Sequence, residues 1–160
     1  MSLQKPYDYI HLGKMLCEFT TDNSVDYKVE FVQNISNFDV ILLVFEIVIL
    51  FDDSKTILNP PLDKRVEVTV VEIIRDFFSS YDYSVIFVCD YSDNRHHTRK
   101  RKFSSWYNKY KTSEIEKHDS DFEIEGIEFL TSLLIHQKNS FKKIIIDLFL
   151  SQKDQIDKDI

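Results

Sequence analysis

Ser84-Val85-Ile86-Phe87-Val88-Cys89, Asp90-Tyr91-Ser92-Asp93-Asn94 and Arg95-His96-His97-Thr98-Arg99-Lys100-Arg101-Lys102-Phe103-Ser104-Ser105-Trp106 follow one another without interruption. The first run is apolar and rich in β-branched residues, which reads as a strand covered on both faces. The second is turn chemistry carrying two carboxylates. From Asn94 to Lys111 the spacing predicts a helix that begins basic and ends aromatic. On it Arg95, Arg99, Phe103, Trp106 and Tyr110 share one stripe.

Working outward toward the N-terminus, Met15, Cys17 and Phe19 alternate with polar residues, and Val25 to Phe31 alternates without a fault. With Asp22-Asn23-Ser24 between them, these segments predict a β-hairpin. Val40 to Phe51 is apolar at almost every position, as expected of a strand inside a sheet and covered on both faces. Asn59-Pro60-Pro61 marks a loop. Beyond Asp63, residues Val66, Val70, Ile73 or Ile74, and Phe77 fall at helical spacing, although Val66 to Val70 also fits the start of a strand.

On the other side of the central stretch the chain turns acidic. Glu114, Glu116, Asp119, Asp121, Glu123, Glu125 and Glu128 face only Lys117 and His118, which predicts a solvated loop leading into a strand. Phe122 and Ile124 share a face, Ile127 and Phe129 have slipped by one position, and a β-bulge at Gly126 would restore the register. Leu133 to Ile135 closes a second hairpin. Asn139 or Ser140 then caps a helix carrying Phe141, Ile144, Ile145, Leu148 and Phe149. The expected fold is α+β: a mainly antiparallel sheet of five or six strands with three helices, in the order β-β-β-α-β-α-β-β-α. A chain of 160 residues that is 43 % hydrophobic suits one domain over residues 1–160, with 1–12 and 151–160 frayed.

The formal charge is −7, from 20 basic and 27 acidic residues. That argues against a protein whose whole surface binds nucleic acid or an anionic membrane, while a local basic patch keeps nucleic acid open as a partner. Cys17 and Cys89 each lie in an apolar run without metal-type or disulfide-type spacing, as buried thiols of a reducing, cytoplasmic compartment do. The longest apolar run is about half a membrane span and contains Glu46, so no membrane segment is expected. With 2 glycines there is no phosphate-binding Gly-rich loop, and no cofactor is indicated.

The central stretch admits three readings. Docking of Phe103, Trp106 and Tyr110 on the sheet would draw Arg95 and Arg99 toward Asp90 and Asp93, giving a bidentate arginine–carboxylate clamp at the strand–helix junction. This structural reading is favoured. In the second, Arg95, Arg99, Lys100, Arg101 and Lys102 crowd a helix start that is already positive, and an anion or nucleic acid relieves them, unless the acidic stretch from Glu114 to Glu128 pairs with them internally. In the third, Asp90 and Asp93 hold Mg²⁺ for phosphoryl transfer, although no third carboxylate has a spacing that fixes it nearby. No metal ligands and no catalytic residues are assigned. Cys89 with His96 or His97 lacks an orienting third group, and the two adjacent histidines fall on different helix faces.

Cys89-Asp90-Tyr91-Ser92-Asp93-Asn94-Arg95, followed by Arg99, Arg101, Phe103 and Trp106, resembles the signature of an uncharacterised bacterial family defined by a domain of unknown function. Its members carry a strand ending in Cys-Asp, then Ser-Asp-Gly-Arg, then a helix with Arg-x-Arg-x-Phe-x-x-Trp. Asn94 stands where the family has glycine, and asparagine also adopts left-handed backbone, so the turn is expected to persist. The resemblance implies no activity. The first functional expectation is therefore a small bacterial, cytoplasmic, non-enzymatic binding protein with a protein partner or a second copy of itself, Lys100 and Lys102 being the contact candidates. An anion or nucleic-acid binding module and a metal-dependent phosphoryl-transfer enzyme follow in that order.

Overall fold

The computed structural model describes residues 4–55, 63–89 and 94–158, with 153–158 as backbone only. In chain order the elements are β1 (Ile10–His11), β2 (Leu16–Thr20), β3 (Asp26–Gln33), a 3-10 turn (Val40–Leu42), β4 (Val44–Asp52), α1 (Lys64–Phe77), β5 (Ser84–Cys89), α2 (His96–Tyr110), β6 (Ile115–Ile124), β7 (Ile127–His136) and α3 (Lys142–Lys158). The strands form one sheet in the order β1-β2-β3-β4-β5-β7-β6. β4 and β5 pair parallel, whereas β1 with β2, β2 with β3, β5 with β7 and β6 with β7 pair antiparallel. The fold is α+β as expected, with its three helices. The sheet has seven strands rather than five or six, because β1 is two exposed residues, too short to leave a periodic signal.

Two compact units make up the chain, Met1–Val32 with Ile47–Ser79 and Gln33–Glu46 with Ser80–Ile160. In the first, the hairpin of β2 and β3 closes through Thr21, whose hydroxyl accepts from Val25 N at 3.1 Å, while Ser24 takes φ 63°. Phe19 and Tyr27 stack at 5.0 Å across the pair. Asp63 begins α1 by accepting from Arg65 N at 2.9 Å, and the helix buries Val66, Thr69, Val70, Ile73 and Phe77, so the strand alternative for Val66 to Val70 is not realised. The ring of Phe77 stacks on Phe31 at 3.9 Å. Within residues 1–12, Tyr7 is held against α1. Its amide donates to Thr69 Oγ1 at 2.8 Å, its hydroxyl donates to Asp63, and the Arg65 guanidinium lies 3.9 Å from its ring centroid.

β4 departs from the expected two-sided strand at both ends. Asp39 Oδ1 accepts from Ile41 N at 3.1 Å and caps the 3-10 turn, Leu43 takes φ 51°, and the strand starts only at Val44. Burial ends soon after Ile47, and Leu50 and Phe51 are 54 % and 64 % exposed. Apolar character alone did not reveal this, since local sequence says nothing of where neighbouring elements stop. The loop assigned to Asn59-Pro60-Pro61 lies outside the described residues.

In the second unit, β7 lies between β5 and β6. Ile86, Leu133 and Ile135 pack with Phe38, Leu42, Val44 and the α3 residues Ile145 and Phe149 on one face of these strands. Phe87 meets α2 on the other. Asn139 caps α3, its Oδ1 accepting from Phe141 N at 2.8 Å while its amide donates to Ser84 Oγ at 3.2 Å. The helix then continues through Lys158, past Ser151, where fraying is expected from the polar composition.

The acidic stretch is strand, not loop. β6 and β7 pair over ten residues from Ile115↔His136 to Ile124↔Ile127 with no break in register. There is no bulge at Gly126. Glu125 at φ 50° and Gly126 at φ 80° instead form a tight two-residue turn of the kind whose twist suits hairpins. That turn accounts for the one-position slip, because it brings Phe122 opposite Phe129 and Ile124 opposite Ile127. The Phe122 and Phe129 rings stack at 5.3 Å.

Candidate functional site

α2 starts after Asn94, whose φ of 58° is the left-handed turn expected there. Arg95 occupies the cap position without a side-chain cap, and no acid stands in the first turn. What holds the helix is its inner face. Phe103 packs on Phe87 at 4.8 Å, Trp106 is buried edge-on to Phe103 at 5.5 Å, and the Tyr107 hydroxyl donates to Ile115 O at 2.9 Å. Along the aromatic stripe Phe103, Trp106 and Tyr110 are buried or half-buried, Arg99 is half-buried, and Arg95 is exposed rather than drawn inward. Asp90 and Asp93 lie outside the described residues, and with them the carboxylate half of the clamp and the Mg²⁺ reading.

The residues of β6 that face α2 are Lys117, Asp119, Asp121 and Glu123, since side chains alternate along a strand. Lys100 pairs with Asp121, and its side chain is only 18 % exposed. Lys117 Nζ donates to both carboxylate oxygens of Asp119 at 2.8 and 2.9 Å, and Ser132 Oγ donates to Asp119 at 2.6 Å. Burial pushes the Asp119 carboxyl up. The hydrogen bonds from Lys117 and Ser132, with the charges of Lys117 and Lys100, outweigh that and hold it below the usual carboxylate range. Among the basic residues of the helix, Lys100 thus finds its partner on strand β6. Lys100, a contact candidate from sequence, is engaged in it, whereas Lys102 and Arg101 are exposed. Lys102 Nζ stands 5.1 Å from the Trp106 ring centroid.

Cys89 is 3 % exposed, and burial pushes its thiol up against the opposing pull of Arg99 and Lys100, which disfavours the thiolate a nucleophile needs. The histidines beside it do something else. His96 Nε2 and His97 Nε2 lie 3.0 and 2.5 Å from the same oxygen of Glu128, and their rings are 4.6 Å apart. Adjacent helical residues diverge by about 100°. At the first turn, however, both imidazoles reach past the helix end to the mouth of the β6–β7 hairpin. Sequence reasoning missed this group because Glu128 is remote in the chain and its position depends on strand register.

In the other unit an open cleft of about 380 Å³ is lined by Gln4, Tyr7, Asp22, Asn23, Asp63, Lys64 and Arg65. Two of its charges pair with each other: Arg65 donates to Asp22 at 3.2 Å, and also to Lys5 O at 2.8 Å. Cys17 Sγ lies 3.3 Å from His11 Nδ1, with the thiol pushed up by burial. Among the described residues no helix is long and apolar enough to cross a membrane.

The model of a family of unknown function (DUF6169) matches residues 62–151, more than half of the chain, from α1 into α3. No curated protein and no solved structure matches the sequence.

Proposed function

Because the chain belongs to this family of unknown function, membership itself brings no activity, and we propose that the protein is a small, bacterial, cytoplasmic, non-enzymatic binding protein that engages an acidic protein partner through the outer face of α2. One observation carries the reading: α2 contains no acid and keeps several basic side chains at the surface. Lys100 is only 18 % exposed in its pair with Asp121, whereas Arg101, Lys102 and Lys109 are exposed. An outward positive stripe on a chain of net charge −7 draws an acidic partner locally without making the whole molecule a polyanion binder. Two free, buried cysteines suit the reducing cytoplasm.

The single tryptophan, Trp106, with Lys102 beside its ring, is a built-in reporter. Titration with an oligoglutamate peptide should change Trp106 fluorescence, and Arg101→Glu with Lys102→Glu should abolish the change. The same stripe also fits a nucleic-acid backbone. Tighter, steeply salt-dependent binding of a single-stranded oligonucleotide would favour that second reading, and silence toward both probes would refute a binding face on α2.

A further inference from the structure

The cluster at the start of α2 has a chemistry that the basic stripe does not use. We propose that His96, His97 and Glu128 form a binding site for a late first-row divalent cation of the zinc class.

The donor set selects the metal. Two imidazole nitrogens and one carboxylate oxygen suit Zn²⁺, Co²⁺ or Ni²⁺, whereas Mg²⁺ and Ca²⁺ take oxygen ligands. The three ligand atoms lie within 4.8 Å of one another. Donors about 2.1 Å from a tetrahedral ion stand about 3.4 Å apart, so small rotamer adjustments of His97 and Glu128 open the space. Those two side chains are 59 % and 43 % exposed and are free to make them. His96, at 13 %, is the fixed member.

One further feature favours a cation over a plain ion pair. Glu123 stands directly opposite Glu128 in the hairpin, on the same face. Like charges so placed repel, and a dication relieves both. A helix start is itself unfavourable to cations, so this pair of carboxylates is what makes one acceptable there. Three protein ligands leave a fourth position, on the solvent side, for water or a donor from a bound molecule.

The test is calorimetric titration of the full chain with Zn²⁺ alone, and with Co²⁺ to record the visible absorption of a tetrahedral site. Variants Glu128→Gln, His97→Asn and His96→Asn are compared with His11→Asn, which removes the separate Cys17–His11 pair. Circular dichroism checks folding, and the exposed His97 keeps a readout should His96→Asn misfold. The expected result is one ion per chain, weakened about tenfold or more by Glu128→Gln and by His97→Asn and unchanged by His11→Asn. Absence of single-site binding, or a site lost in His11→Asn and retained in Glu128→Gln, would overturn the proposal.

Discussion

Replacing Asp121 by asparagine should destabilise the protein by about 2 kcal/mol, a value bracketed by the geometry of its partner. Two unit charges in contact attract by about 5 kcal/mol at an effective dielectric of 20. Exposed pairs retain about 0.2–1 kcal/mol of this, and removing one partner of a buried pair costs about 3–5 kcal/mol. The Lys100–Asp121 pair stands between these limits, with side chains 18 % and 48 % exposed. Asp121→Asn leaves a largely shielded ammonium facing an amide. Lys100→Met removes the charge but keeps most of the stem's packing, so the double variant should recover part of the loss, with a coupling energy of about 1 kcal/mol. At about 2–4 °C per kcal/mol for a chain of this size, Asp121→Asn should lower Tm by about 4–8 °C. Urea and thermal unfolding followed by Trp106 fluorescence supply all four corners of the cycle. A coupling energy within about 0.3 kcal/mol of zero would refute the view that β6 neutralises the inner face of α2, and with it the division of charge on which the binding stripe depends.

Truncating Phe149, wholly buried between α3 and the sheet, to alanine should cost about 3–5 kcal/mol in urea unfolding. At Asn94, φ 58°, glycine should be neutral or stabilising by up to about 1 kcal/mol, while valine should destabilise by more than that; equal Tm values for the two would contradict the left-handed turn. Burial pushes the thiols of Cys17 and Cys89 and the hydroxyls of Tyr27 and Tyr107 above their usual ranges. The native state therefore keeps protons that the unfolded chain releases first. This contribution is complete below the unfolded values and is lost as pH rises above about 9, so unfolding free energy should fall between pH 8 and pH 11. Asp119 acts in the opposite direction: its lowered value stabilises above pH of about 4 and is lost in stronger acid, and Asp119→Asn should flatten that acid limb.

Local pattern carried the reading a long way. Alternation from Val25 to Phe31, helical spacing from Val66 to Phe77 and from Ile144 to Phe149, and the apolar run before Cys89 each became the expected element, in the expected order. These signals are readable because side-chain period follows directly from strand and helix geometry. The aromatic docking of Phe103 and Trp106 was legible for the same reason.

Where sequence reading failed, the deciding partner was remote. A run of acids from Glu114 to Glu128 looks like a solvated loop, because nothing in it says that Asp121 will meet Lys100 or that Asp119 will meet Ser132. Glu125 at the hairpin turn does not announce a positive φ as asparagine would, so Gly126 was read as a bulge. The convergence of His96 and His97 on Glu128 is the sharpest case. The sequence by itself determined the three helices, six of the seven strands and the order of these elements, since those follow from which neighbours share a face. Tertiary structure alone decided which charges neutralise one another and which donors meet, because those depend on strand register and helix placement across long spans of chain.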